Sequence, residues 1–128
     1  MRLRTRTIAT VLASALALGA TTMLGACNPS IGEINLRPDS HYQEEVTFKG
    51  RIVRTQQLRD EMLLEIADAN EHRILVHSIT PVDAGVDDWV TVTGVLLPEM
   101  RVGGAILYDV VAAERIKPTY APLLRDLM

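Results

Sequence analysis

Two segments of this chain share one unusual pattern. Val46-Thr47-Phe48-Lys49-Gly50-Arg51-Ile52 and Val90-Thr91-Val92-Thr93-Gly94-Val95-Leu96 both begin Val-Thr and carry glycine at the fifth place and an apolar residue at the seventh. Apolar residues alternating with polar ones, many of them β-branched, describe a strand that faces a core on one side. Glycine in mid-strand weakens a strand, so it marks a bulge, a sharp bend or a close backbone approach. Two strands, each bent at a central glycine, suit a small barrel, whose strands must coil strongly to close.

The other strands follow from the same kind of reading. The first runs over Val46–Arg54. Met62–Ala67 forms a second, with Leu64 and Ile66 on one face. Asp68-Ala69-Asn70-Glu71 is turn chemistry, because Asp and Asn bond their own backbone and tolerate left-handed conformations. His72–His77 alternates as a third strand, so the second and third make a hairpin. Ser78–Asp88, with Pro81, Gly85 and three aspartates, reads as a loop. Trp89–Leu97 is the fourth strand, Pro98–Gly104 a loop, and Ala105–Ile116 the fifth strand, stopped by Lys117-Pro118. Five short strands are too few for a standard sandwich. The fold class expected is therefore all-β, a small five-stranded barrel over residues 41–117. Its candidate core is Val46, Phe48, Ile52, Leu64, Ile66, Ile74, Val76, Val90, Val92, Leu96, Val110 and Ala112. Trp89 is expected to plug one barrel end, and Tyr108 to be partly buried with a partner for its hydroxyl. Residues 118–128 form a tail in which Leu123, Leu124 and Leu127 stand at helical spacing.

The N-terminus is of another kind. Arg2, Arg4 and Arg6 precede a run from Thr7 to Ala26 with no charge and many Ala and Leu residues. Charge first and apolar stretch second is the layout of an export signal. The run ends in Leu24-Gly25-Ala26-Cys27, which resembles the lipobox of bacterial lipoprotein precursors. That resemblance implies cleavage between Ala26 and Cys27, and lipid on the sulfur and amine of Cys27. It makes residues 1–26 a signal peptide and 27–40 a lipidated tether, punctuated by Pro and Ser and holding about one helical turn around Ile31 and Ile34. The alternative is an uncleaved helical anchor, since twenty uncharged residues just span a bilayer. Either way residues 28–128 face the periplasm or exterior. Without the three arginines, ten basic residues stand against sixteen acidic ones, a net charge of −6. An acidic surface repels phosphate backbones.

From Ile31 to Ile116 the chain resembles bacterial OB-fold domains. The resemblance rests on the order of five strands, the glycine bend in strands one and four, Tyr42 before strand one, and the closing Val-Val-Ala-Ala-Glu-Arg-Ile. Haem chaperones of cytochrome c maturation are a second exported OB-fold family, in which a histidine just past the last strand, followed by a tyrosine, carries haem. Here Ala112–Tyr120 has a Tyr and no His, so no cofactor is expected.

The residues that carry chemistry are sparse. One cysteine forms no internal disulfide and no multi-cysteine zinc site. His72 and His77, five apart on one expected strand, point to opposite faces, and with His41 they read as surface or edge histidines. Asp83, Asp87 and Asp88 lack the ligand spacing of a calcium loop. Ser78 beside His77 points to the opposite face, and Gly103-Gly104 lies between strands, so neither a nucleophile nor a phosphate loop is formed. No catalytic, metal or cofactor residues are therefore assigned, and the chain is expected not to be an enzyme. OB barrels bind single strands through aromatic platforms and basic grooves. The second and third strands here have no aromatic and carry Glu65 with Asp60, Glu61, Asp68 and Glu71 flanking them, while Arg51, Arg54 and Arg59 supply some positive charge but no dominating stripe. The expected function is a non-catalytic, lipid-anchored binding module of the bacterial cell envelope. It would present Ser78–Asp88 and Pro98–Gly104 to a protein or glycan. The alternatives are a periplasmic carrier of a small ligand or metal through His41, His72 or the aspartate loop, and an exported nucleic-acid binder.

Overall fold

Residues 28–122 are described by the computed structural model. The expected leader, the Ala26–Cys27 junction and the Leu123, Leu124 and Leu127 tail lie outside them. A short helix, α1 (Ile31–Leu36), and a 3-10 turn (Pro38–Ser40) precede five strands: β1 (Glu45–Leu58), β2 (Glu61–Ala67), β3 (Arg73–Ser78), β4 (Trp89–Val102) and β5 (Ala105–Pro118). They close in the order β1-β2-β3-β5-β4. All neighbours are antiparallel except β3 and β5, which are parallel.

The repeated sequence pattern is the seam of this ring. The two copies pair with each other: Val46 faces Gly94, Thr47 faces Thr93, Phe48 faces Val92 and Gly50 faces Val90. Each glycine thus lies opposite the other copy's first valine. The Thr47 and Thr93 hydroxyls meet at 3.1 Å. Neither glycine is needed for a positive φ. Both are needed for room. A Cβ on Gly50 would strike Ile66 Cγ2 and the Ala67 carbonyl of β2. One on Gly94 would strike the Ala112 carbonyl, Ala113 Cα and Val111 of β5. The missing side chain at each glycine lets the next strand cross close over it, as a small barrel requires.

Inside the ring, Val46, Phe48, Ile52, Leu64, Ile66, Ile74, Val76, Val90, Val92 and Leu96 form one apolar cluster, as expected from their alternation. The fifth strand differs in phase. Val111, not Ala112, enters the cluster, facing Leu96 and Val76. Val110 is fully buried but stands outside it, and Ala112 is half-buried. Val110 to Ala113 is apolar at every position, so alternation cannot set which face is inward.

The expected tether is also part of the barrel. Ile31 and Ile34 are 0% and 1% exposed and join the core cluster. Ser30 caps α1: its Oγ accepts from the Glu33 N–H at 3.1 Å and donates to Glu33 Oε1 at 3.2 Å. Ser-x-x-Glu before an apolar pair is a capping-box pattern. Asn35 Nδ2 donates to the Arg73 carbonyl at 2.8 Å, tying the helix to β3.

Other departures concern lengths and exposure. Pro98–Gly104 is not a loop. β4 continues to Val102, and only Gly103 and Gly104, at φ 57° and 86°, make the turn. That is the two-residue hairpin turn with both central residues left-handed, so a glycine pair shortens the connection. β1 likewise continues through polar Thr55-Gln56-Gln57, because pairing with β2 needs no apolar side chain. Tyr108 is 66% exposed, on the outward face of this hairpin, rather than partly buried. Trp89 is half-buried at the start of β4.

Gly94→Ala is expected to lower unfolding free energy by about 1–3 kcal/mol, as overpacking does. Gly85→Ala, whose Cβ would meet nothing within 4 Å, should stay within about 0.5 kcal/mol of wild type. Urea titration followed by circular dichroism distinguishes the two.

Candidate functional site

Closure of the ring brings three connections to one end. The β1–β2 turn is a two-residue link, Arg59-Asp60, between the facing residues Leu58 and Glu61. Gln57 Nε2 staples it, donating to the Arg59 and Glu61 carbonyls at 3.0 and 3.1 Å. The β4–β5 turn comes alongside: Gly103 and Leu58 flank a groove of about 540 Å³ with Gln57 and Arg59 to Glu61. On the other side of the same turn, a groove of about 460 Å³ adds Met62 and Ile79, Thr80, Pro81 and Val82. Both sequence-expected loops therefore contribute, though only Gly103 of one and the first residues of the other. Ser78 holds the latter in place, donating its Oγ hydrogen to the Thr80 carbonyl at 2.7 Å.

Sequence reasoning missed the centre of this site, the turn itself. The signal was present as a polar run, Thr55 to Gln57, followed by Arg59-Asp60 between two alternating segments.

The groove is amphipathic. Leu58, Met62, Ile79, Pro81 and Val82 supply apolar surface, and Ile79 is 70% exposed. Arg59 has no carboxylate within ion-pair distance among the described residues. Its φ of 47° is a conformation uncommon outside glycine. Behind the turn, His77 Nε2 lies 3.5 Å from Glu61 Oε2 and has no hydrogen-bond partner among the described residues. His77, near the end of β3, is buried rather than a surface histidine.

The other candidates are scattered. His72 precedes β3, its Nδ1 3.1 Å from Asp68 Oδ2 and its ring over Gly32. His41 ends the 3-10 turn. Asp88 accepts from the Gly85 N–H at 2.9 Å, while Asp87 and Glu71 flank Arg51 at 3.5 and 3.1 Å. Asp83 lies exposed in the same loop. Among the described residues no three His, Cys, Asp or Glu side chains are grouped to hold a metal ion. No helix among them is long and apolar enough to cross a membrane.

On the outer face of β1–β3, Glu65 accepts from Arg73 and Arg54, both at 2.8 Å. The Arg73 hydrogen bond, with the field of Arg54 beside it, holds the Glu65 carboxyl below the usual range, against an opposing effect of burial. Of the three arginines expected to offer positive charge, Arg51 and Arg54 are thus neutralised locally. Elsewhere, the hydrogen bond from Tyr42 to Asp109 Oδ1, 2.5 Å long, pushes the phenol pKa up. Glu114 is raised by hydrogen bonding to Glu45.

No family model and no curated protein matches the chain. Solved structures do. It resembles asparaginyl-tRNA synthetase from Pyrococcus horikoshii, with TM-score 0.56 and 15% identity over 76% of this chain and 24% of that one. It resembles aspartyl-tRNA synthetase from Entamoeba histolytica, with TM-score 0.53 and 14% identity over 77% and 23%. It also resembles the OBody AM1L10 bound to hen egg-white lysozyme, with TM-score 0.52 and 11% identity over 72% and 92%. The chain spans about a quarter of either synthetase. At these identities the likeness is one of fold: the protein is an OB-fold barrel.

Two expectations follow. Arg59→Gly should raise unfolding free energy by about 1 kcal/mol by relieving the left-handed turn. Wild-type stability should fall as pH drops through and below about 4.3, the ordinary glutamate value. Unfolded Glu65 takes its proton there while the folded carboxyl resists, so acid favours the unfolded chain. Glu65→Gln should flatten that slope in urea titrations at stepped pH.

Proposed function

We propose that this protein is a non-catalytic binding module, held at the bacterial envelope membrane by lipid on Cys27, which receives a segment of a protein partner in the groove around Leu58–Glu61. The convergence of three connections on one amphipathic groove carries the reading. An apolar floor with a few convergent polar groups is what ligand sites are built from. A non-glycine residue in left-handed backbone at its lip is the kind of strain that collects at binding sites. The OB barrel commonly binds through these same connections.

A protein partner is favoured over nucleic acid by charge. Arg51 and Arg54 are neutralised by carboxylates, and Asp60 and Glu61 stand at the groove beside Arg59. The groove has no aromatic on which bases would stack. The OBody is an OB-fold of comparable size bound to a protein. The lipid anchor rests on Leu24-Gly25-Ala26-Cys27 at the end of the uncharged run.

Two measurements test this. Mass spectrometry of the membrane fraction should find an acylated Cys27 at the mature N-terminus, and Cys27→Ser should release the chain; an unmodified start methionine removes the anchor. A photo-crosslinking residue at Ile79 should give a discrete protein adduct that one at Lys117 does not, and Arg59→Glu should weaken it. Oligonucleotide binding at low salt that falls steeply as salt rises would replace the protein partner with nucleic acid.

A further inference from the structure

The distal half of the β4–β5 hairpin has a feature that neither the barrel nor the groove uses. β5 pairs with β3 only at Val110, Val111 and Ala112. Before that, Ala105–Tyr108 pairs with β4 alone, and its other edge has no strand against it among the described residues. The two-residue turn at Gly103-Gly104 makes Val102 and Ala105 a hydrogen-bonded pair. Pairs then alternate along the hairpin. The N–H and C=O groups of Ala105 and Leu107 therefore face β4, and those of Ile106 and Tyr108 face away.

This edge lacks the usual protection. Charged side chains or proline commonly blunt an open edge. Here the strand runs Ala-Ile-Leu-Tyr before Asp109, and Ile106 and Tyr108 are 45% and 66% exposed on one face. Where β5 diverges from β3, a groove of about 410 Å³ opens beside Tyr108 and Asp109.

The geometry points to a second copy of this chain as the occupant, joined edge to edge and antiparallel about Leu107. In that register Ile106 of each copy faces Tyr108 of the other. Their four outward backbone groups per copy pair as donors with acceptors, giving four hydrogen bonds across the junction. The Ile–Tyr contacts are aromatic against β-branched, a favourable cross-strand pairing. The charges also agree. On the same face, Glu99 stands beside Tyr108 and Arg101 beside Ile106. Each row across the junction then reads Glu99, Tyr108, Ile106, Arg101, with an acid at one end and a base at the other. Asp109 falls opposite Ala105, so no like charges meet. A twofold contact must be self-complementary in this way.

Cysteine crosslinking in the full chain, in its own membranes, tests the register. The axis passes through Leu107, a non-hydrogen-bonded pair whose Cα atoms would lie about 4.5 Å apart, within disulfide reach. Under mild oxidation Leu107→Cys should give a disulfide dimer, whereas Lys117→Cys on the same strand should give no more dimer than wild type. Ile106→Cys and Tyr108→Cys, both at exposed positions, should crosslink better when mixed than either alone. Adding Tyr108→Asp to Leu107→Cys should cut the dimer at least about tenfold, a loss of about 1.4 kcal/mol. No dimer from Leu107→Cys or from the mixed pair overturns the proposal. So does equal yield at Lys117→Cys, or crosslinking of position 107 to a different protein.

Discussion

Everything in this barrel depends on two places where backbone passes over backbone with no side chain between. At Gly50 the β2 strand crosses over β1, and at Gly94 the β5 strand crosses over β4. The two sites face each other across one antiparallel seam, each glycine opposite the other's valine. A ring of five strands has a small circumference, and its strands must tilt and coil to meet. The glycines permit that coiling, because Ile66 and the Ala67 backbone at one site, and Val111 and the Ala112–Ala113 backbone at the other, occupy the space a side chain would need.

The seam has consequences at both ends of the ring. At one end α1 seals the core with Ile31 and Ile34, held by the Ser30 cap and the Asn35 bond to β3. Asp68 closes the adjoining hairpin, accepting from the Asn70 and His72 N–H groups at 2.9 Å. At the other end the long hairpins outrun the ring. Their turns meet at Leu58 and Gly103, and the groove exists because they do. The sealed end provides stability, and the open end leaves amphipathic surface.

Charge on the barrel wall is largely paired. Glu65 gathers Arg54 and Arg73, and Glu71 and Asp87 flank Arg51. Exposed pairs of this kind contribute little stability. They do offset the charge of Arg51, Arg54 and Arg73 on this wall.

Much of the architecture was legible in residue order. Alternation located the strands, the paired Val-Thr-x-x-Gly segments implied strong coiling, and ten of the twelve core residues expected lie in the central cluster. What alternation could not decide was the phase of β5, because Val110 to Ala113 is apolar throughout and either face satisfies it. Nor could it show that Ile31 and Ile34 belong to the core, since two apolar residues in a polar stretch bury only if an open barrel end happens to lie above them. The groove is a property of closure alone. Arg59, Ile79 and Gly103 are far apart in the chain, and no local rule relates them. Local sequence determined which segments are strands and where they bend, because those depend on side-chain alternation and steric bulk. Only the tertiary structure decided which turns meet, because that depends on how the bent strands close.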